Sequence, residues 1–436
     1  MELKTNYQYT YFIHPFIIKD GKYQKYMLKM LKDKNFKLKV FQKEKDLKMY
    51  QYFLPKTREF LFSSFSFSNA KLRKLEELPI ETRAAILSKY QCNIFEYNLK
   101  KDIQGKVDDR KGIFFTIPKV EVICFQTGIC FLAIKTNIEE DNNFSSILNF
   151  NYKFRDINQE ISNLDAYDNI RLQAGNFEDI ETLREFIKNI TGSNIGASKL
   201  DIDTERFLTY SYVCIDQEAW NNTNEFEKIK HNFIKYSNLL PADSSRNIEE
   251  EKAEVFSKWK YARLGIIKQG ITLFTSSSDM NNYTILPDEY ENQYLYTYIL
   301  NLYKKIYLKK IELEFTNPKQ VKKARKKFVE FTKKLWIQEI TEDEAGTIFF
   351  ASRDLCMIEY LDKFIRAGVS TLTIEARLND EKYVREVVPV YRKAIDDFYN
   401  NNFEYNCTED MLETLKNATP RKHTTGFYLD ETIDYD

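Results

Sequence analysis

The chain has 436 residues, with 65 Lys and Arg balanced by 65 Asp and Glu, and it is 43% hydrophobic and 30% charged. That length allows two or three domains and the composition excludes wholesale disorder. Zero net charge speaks against nucleic acid or an anionic membrane as a partner of the whole surface, leaving only local basic patches.

Met1 to Tyr7 lacks the order of charged, apolar and small residues of a secretory signal. Lys22 to Leu31 places Tyr23, Tyr26, Met27, Met30 and Leu31 at helical spacing with lysines opposite. Ile113–Ile117 reads as a strand closed by Pro118. Val120–Phe125 and Ile129–Ile134 flank Gln126-Thr127-Gly128 as a hairpin, apolar on both faces and so central in a sheet covered on both sides. This is the most apolar stretch, and no window reaches the ~18 apolar residues of a spanning helix. The sequence thus predicts a cytoplasmic protein without a membrane segment. Its six scattered cysteines are expected as reduced thiols.

Asn176 is expected to cap a helix to about Ile190, with Asp179 at the capping-box position. Phe207 to Ile215 reads as a strand and Glu225 to Tyr236 as a helix, followed by an acidic linker at Asn247–Glu251. Beyond Pro287 the pattern is helical to Phe315, with Leu295, Ile299, Leu302, Ile306 and Leu313 as a seam. Thr316-Asn317-Pro318 stops it, and Val321, Ala324, Phe328, Phe331 and Leu335 form a second seam. The pair makes either an antiparallel hairpin or a stalk that packs on other subunits. After Thr341 come a helix (Leu355 to Ala367), a strand (Thr371 to Ile374) and a helix (Glu381 to Tyr399). The predicted fold class is α/β: a mixed-sheet α/β/α sandwich over 1–286, a helical stalk or hairpin over 287–340 and a small α-β-α module over 341–436.

Chemistry-bearing motifs are few. There is no GxGxxG, no GxxxxGK[ST] and no HExxH, and His14, His231 and His423 lie far apart, so no metal site, cofactor or catalytic group is assigned. Cys124 and Cys130 read as core. Glu342-Asp343-Glu344 reads as a solvated loop before a cation site. Lysines crowd the helical pair from Lys304 to Lys334. They form either the wet face of a stalk or an attraction to phosphates. Asn149-Phe150-Asn151-Tyr152-Lys153-Phe154-Arg155 mixes amides, rings and cations, which suits a nucleotide and equally a structural sheet edge.

Leu148–Asp156, Lys268-Gln269-Gly270, Asn282-Tyr283-Thr284 and the tyrosine-rich run Leu286–Tyr298 resemble the CorA-like proteins that accompany type III CRISPR systems. The likeness runs from the N-terminus to Thr341. It implies a homo-oligomeric sensing domain for a nucleotide second messenger, an AMP conjugate of S-adenosylmethionine. The two membrane helices and the Gly-Met-Asn pore motif of that family are missing, so channel activity does not carry over.

A second likeness begins where those helices would follow. Ser352–Leu361, Ala367-Gly368-Val369, Ile374-Glu375-Ala376-Arg377, Tyr383-Val384, Val390–Ala394 and Thr424–Tyr428 resemble the C-terminal part of the collagenase-like peptidase family U-32. That resemblance implies a barrel enzyme, several of whose members hydroxylate RNA rather than cut peptides. Only the closing part of the barrel is present, Ala376 replaces a glycine, and Cys356 matches a cluster ligand without visible partners.

The leading expectation is a binding protein holding a nucleotide-like ligand through Asn149, Asn151, Arg155, Arg171 and Asp216 at strand ends. Arg155 would take phosphate and Asp216 an amine or ribose hydroxyl. The alternative is a degenerate U-32 enzyme with Glu375 and Arg377 at the barrel strand's end. A structural oligomer without ligand is the third.

Overall fold

The Val120–Ile134 stretch is wholly buried apart from its turn, and it organises the first of two compact units, residues 1–342 and 343–436. The computed structural model describes residues 3–66, 74–99, 103–107, 113–138, 143–157, 171–173, 181–192, 200, 202–203, 205–221, 225–245, 253–256, 259–316, 320–334, 354–366, 369, 371–374, 381–401, 403–418, 423–424 and 434–435.

In chain order the first unit contains β1 (Thr5–Ile17), α1 (Tyr23–Lys32), β2 (Phe36–Leu38), α2 (Leu47–Tyr52), α3 (Pro55–Leu61), α4 (Ile80–Leu87), β3 (Cys92–Tyr97), β4 (Ile103–Val107), β5 (Ile113–Phe125), β6 (Ile129–Ile138) and α5 (Phe144–Phe154). There follow β7 (Arg171–Gln173), β8 (Glu181–Thr182), α6 (Leu183–Thr191), β9 (Leu208–Ile215), α7 (Phe226–Ser237), β10 (Glu254–Phe256), β11 (Ala262–Ile267) and β12 (Gly270–Ser276). After broken helical turns over 281–294 come α8 (Leu295–Phe315) and α9 (Val321–Lys334).

The strands form one mixed sheet in the order β10-β11-β12-β9-β1-β6-β5-β4-β7-β8, with β3 on β5 and β2 on β3. The β12–β9 pair is parallel, and the other pairs are antiparallel. The predicted hairpin is β5–β6, with Cys124 opposite Cys130 and Gly128 turning at a φ of 86°. A side chain at Gly128 would meet the carbonyl oxygen of Ile18, so the turn is closed to larger residues.

Alternation along β1 shows how both faces are covered. Phe12 and Phe16 join the core made with α1, α4, α5, α6 and α7. Tyr9 and Tyr11 face the opposite side, where Tyr9 OH donates to Pro287 O at 2.7 Å and Tyr11 OH to Glu291. On that side Phe60 of α3 and Tyr303 of α8 pack on Phe125, Tyr303 at 3.9 Å between ring centroids. The molecule thus has the expected mixed-sheet α/β architecture, with helices on both faces of the sheet.

Buried tyrosines must place their hydroxyls. The broken helix between 281 and 294, which includes a π turn at Tyr290–Tyr294, supplies carbonyl acceptors. Tyr210 OH donates to Tyr290 O at 2.7 Å and Tyr212 OH to Asn282 O at 2.5 Å.

Four expected elements differ. The α-helix expected from Leu355 begins only at Leu361, and Leu355 itself lies in a short strand. β5 does not end at Pro118. It continues through a register shift between Thr116 and Lys119, where a residue without an N–H is tolerated. The expected Asn176 cap lies outside the described residues. α6 starts at Leu183, where Glu185 N donates to Thr182 Oγ1 and Thr182 N donates to Glu185 Oε2. In the second unit Thr371–Ile374 pairs with no described strand. A strand needs a ladder, and the neighbours a barrel would supply are not among the described strands. The acidic linker at 247–251 and the junction at 342–347 also lie outside the described residues.

α8 enters the core at once. Leu295 and Ile299 of the expected seam are fully buried within the unit, whereas Leu313 is exposed. α9 returns along the far half of α8, with Ala324 and Phe331 buried and Lys327 paired with Glu314.

The second unit has a small sheet, β13 (Asp354–Leu355), β14 (His423–Thr424) and β15 (Asp434–Tyr435), beside α10 (Leu361–Arg366), α11 (Glu381–Asn400) and α12 (Glu409–Ala418). Cys356, Ile358, Leu361, Val387, Ala394, Met411 and Leu415 form its own core.

Candidate functional site

Of the residues expected to hold a ligand, Asn149, Asn151 and Asp216 are engaged in bonds within the protein. Asn151 is fully buried. Its Oδ1 accepts from Thr10 Oγ1 at 3.0 Å and its Nδ2 donates to Ser211 Oγ at 3.1 Å, tying α5 to β1 and β9. Asn149 Oδ1 accepts from Ala242 N at 2.9 Å. Asp216 closes a turn, its Oδ1 accepting from Glu218 N at 3.1 Å. Arg171 lies in β7, of which the backbone is described. Polar groups placed this way are already bonded within the protein, and an unbonded buried amide would be costly.

Arg155, at the end of α5, does line a cleft of about 460 Å³, together with Tyr152, Arg206, Asn238, Lys268 and Gln269. Its guanidinium lies 4.9 Å from the Tyr152 ring centre. Three cations, amides and a ring form an anion-receptive surface. Among the described residues no carboxylate or histidine lines it, and these form no acid–base pair there. Arg206 and Lys268 are the residues that sequence reasoning missed; the only signal was Lys268 in the quoted Lys268-Gln269-Gly270 run.

A buried charge network lies on the tyrosine side of the sheet. Glu121 receives Lys39 Nζ at 2.5 Å and the Tyr296 hydroxyl at 3.1 Å, with Lys119 at 3.7 Å. Glu291 receives Lys135 at 2.6 Å and Tyr11 OH at 2.7 Å. Burial pushes the Glu121 carboxyl up, but Lys119, Lys39 and the Tyr296 hydrogen bond outweigh it and hold it down at about 2. The network is closed by packing and joins β1, β5 and β6 to α8.

In the second unit Cys356 is buried, its Sγ 3.8 Å from the Tyr391 hydroxyl. Tyr405 OH donates to Ile358 O. Burial, with Glu359 nearby, pushes the Cys407 thiol up, and burial pushes Tyr391 up. Neutral thiols and phenols are poor nucleophiles and poor ligands. Among the described residues no three His, Cys, Asp or Glu side chains gather as a metal site. Among the described residues Cys356 thus has no set of further ligands around it, as a cluster would need. Glu375 and Arg377 lie outside the described residues. No helix among the described residues is long and apolar enough to cross a membrane.

Comparison with known proteins finds a family match in the C-terminal part of the chain. Residues 313–434 match peptidase family U32. tRNA hydroxylation protein P2 of Bacillus subtilis is 38% identical over 97 residues, which is 22% of this chain and 31% of the relative. tRNA hydroxylation protein P of Haemophilus influenzae is 36% identical over 94 residues, covering 21% of this chain and 20% of the relative. The Escherichia coli protein P is 37% identical over the same length and shares. The chain thus spans less than a third of the length of these curated relatives. No solved structure matches.

These findings overturn the expected CorA-like sensor of a nucleotide second messenger. The relatives found are tRNA hydroxylation proteins, and the family match falls on the stretch resembling U-32.

Proposed function

We propose that this protein takes part in tRNA hydroxylation as a tRNA-binding component, with a partial U32 module at its C-terminus. The observation that carries the reading is the match to tRNA hydroxylation proteins at 31–38% identity, alongside a second unit that keeps its own apolar core. Binding is favoured over chemistry because burial raises the Cys407 thiol and the Tyr391 phenol, and no ligand cluster forms among the unit's described residues. The zero net charge of the whole chain does not oppose this, since phosphate recognition needs only a local basic surface.

The test is fluorescence anisotropy of the full-length protein with a tRNA transcript, with a DNA duplex of equal length as competitor. Saturable tRNA binding that resists the duplex is expected. Absence of tRNA binding at physiological salt overturns the reading.

A further inference from the structure

The geometry points to the outer face of α9 as the surface that takes the phosphates of a bound RNA. This rests on the reading of the protein as tRNA-binding and names the face that does it. Over Val321–Lys334 the helix carries seven cations, Lys322, Lys323, Arg325, Lys326, Lys327, Lys333 and Lys334, against the single carboxylate Glu330. In a chain whose net charge is zero, that is a concentrated local excess.

One side of α9 is used for packing. Ala324 and Phe331 are buried, Phe331 lies 5.7 Å from the Tyr307 ring, and Lys327 pairs with Glu314. Helical spacing of 100° per residue then places Lys322, Arg325 and Lys326 together on the other side, where all three are exposed. None of the three makes an ion pair among the described residues. Lys322 and Lys326 stand one turn apart, an arrangement in which like charges repel and weaken the helix. A polyanion laid along the face turns that repulsion into attraction and releases its own counterions. The step of about 6 Å between positions i and i+4 is close to the step between neighbouring phosphates on one strand.

Two further observations select RNA as the occupant. The match to peptidase family U32 begins at residue 313 and so includes α9, placing this helix within the matched stretch of that family. Exposed Val329 lies within the cationic stripe, and Phe328 at its margin is available for stacking on a base. A helix lying in a lipid interface would instead separate its apolar and cationic sides.

The experiment compares full-length protein with the triple variant Lys322→Ala, Arg325→Ala, Lys326→Ala on a tRNA transcript over a range of salt. Alanine is a good helix former, so melting temperature and helical circular dichroism should be unchanged. Each phosphate contact contributes roughly 0.7–0.9 to the slope of log affinity against log salt, so the variant's slope should fall by about two. Affinity at low salt should drop about ten- to a hundredfold. A control triple, Lys25→Ala, Lys228→Ala, Lys393→Ala, should leave both quantities unchanged. If wild type binds tRNA and the α9 variant binds with the same affinity and slope, the assignment of this face is overturned while the tRNA-binding role stands. If wild type does not bind tRNA, the role itself falls and the assignment with it. Loss in the variant of binding to phosphatidylglycerol vesicles, with tRNA binding intact, would overturn the assignment in favour of a lipid surface.

Discussion

Glu121 shows what a buried charge does here. Its side chain is fully enclosed, and Lys39, Lys119 and the Tyr296 hydroxyl hold it ionised with its pKa at about 2. A carboxylate depressed below its unfolded value of 4.5 stabilises the native state above that value, and the stabilisation is lost as pH falls from 4.5 through about 2. The drop corresponds to about 3 kcal/mol. Glu121→Gln removes the negative partner of the largely buried Lys39, while Lys119 keeps Glu291 at 3.4 Å, and costs about 3 kcal/mol at neutral pH. In urea unfolding the gap between wild type and variant should be large at pH 7 and narrow toward pH 2. A gap independent of pH would mean that Glu121 is neutral in the native protein.

At the scale of elements, α8 illustrates how a sequence seam and a structural role diverge. Its three- and four-residue spacing suits an intersubunit stalk, but Leu295 and Ile299 are buried against the unit's own sheet. Ile299→Asp should therefore lower the melting temperature of the first unit sharply, because an unpaired carboxylate there costs several kcal/mol. Light scattering that showed a smaller assembly with unchanged melting would return Ile299 to an interface between subunits. The β5–β6 hairpin and the helices at α1 and α7 were legible because burial alone writes their pattern. The start of α6 was misread because more than one residue before it can serve as a cap, and spacing does not rank them. Asn149, Asn151 and Asp216 were legible as polar groups, but their bonds within the protein were not. The partners of Asn151, Thr10 and Ser211, lie 141 and 60 residues away, and no local pattern reveals them. The basic α9 was visible in the sequence, but which of its cations are free became clear only when Ala324 and Phe331 fixed the buried side.

For the whole molecule, the division at residue 342 joins a large aromatic sandwich to a unit with a core of few residues. Cores of such different extent should not melt together. Scanning calorimetry of the full chain should show two transitions, and ending the chain at Glu342 should abolish the one belonging to the second unit while leaving the other in place. A single transition shared by both units would show them to be energetically one.

The aromatic layer has an optical consequence. All three tryptophans, Trp220, Trp259 and Trp336, precede the division, and Trp220 is enclosed between Phe226, Phe274 and Tyr261. Stacked tyrosines such as Tyr210 and Tyr290, whose ring centres are 4.2 Å apart, add exciton coupling in the near ultraviolet. Light absorbed above the tyrosine band therefore reports on the first unit alone, while the second contributes only tyrosine emission and stays dark at those wavelengths.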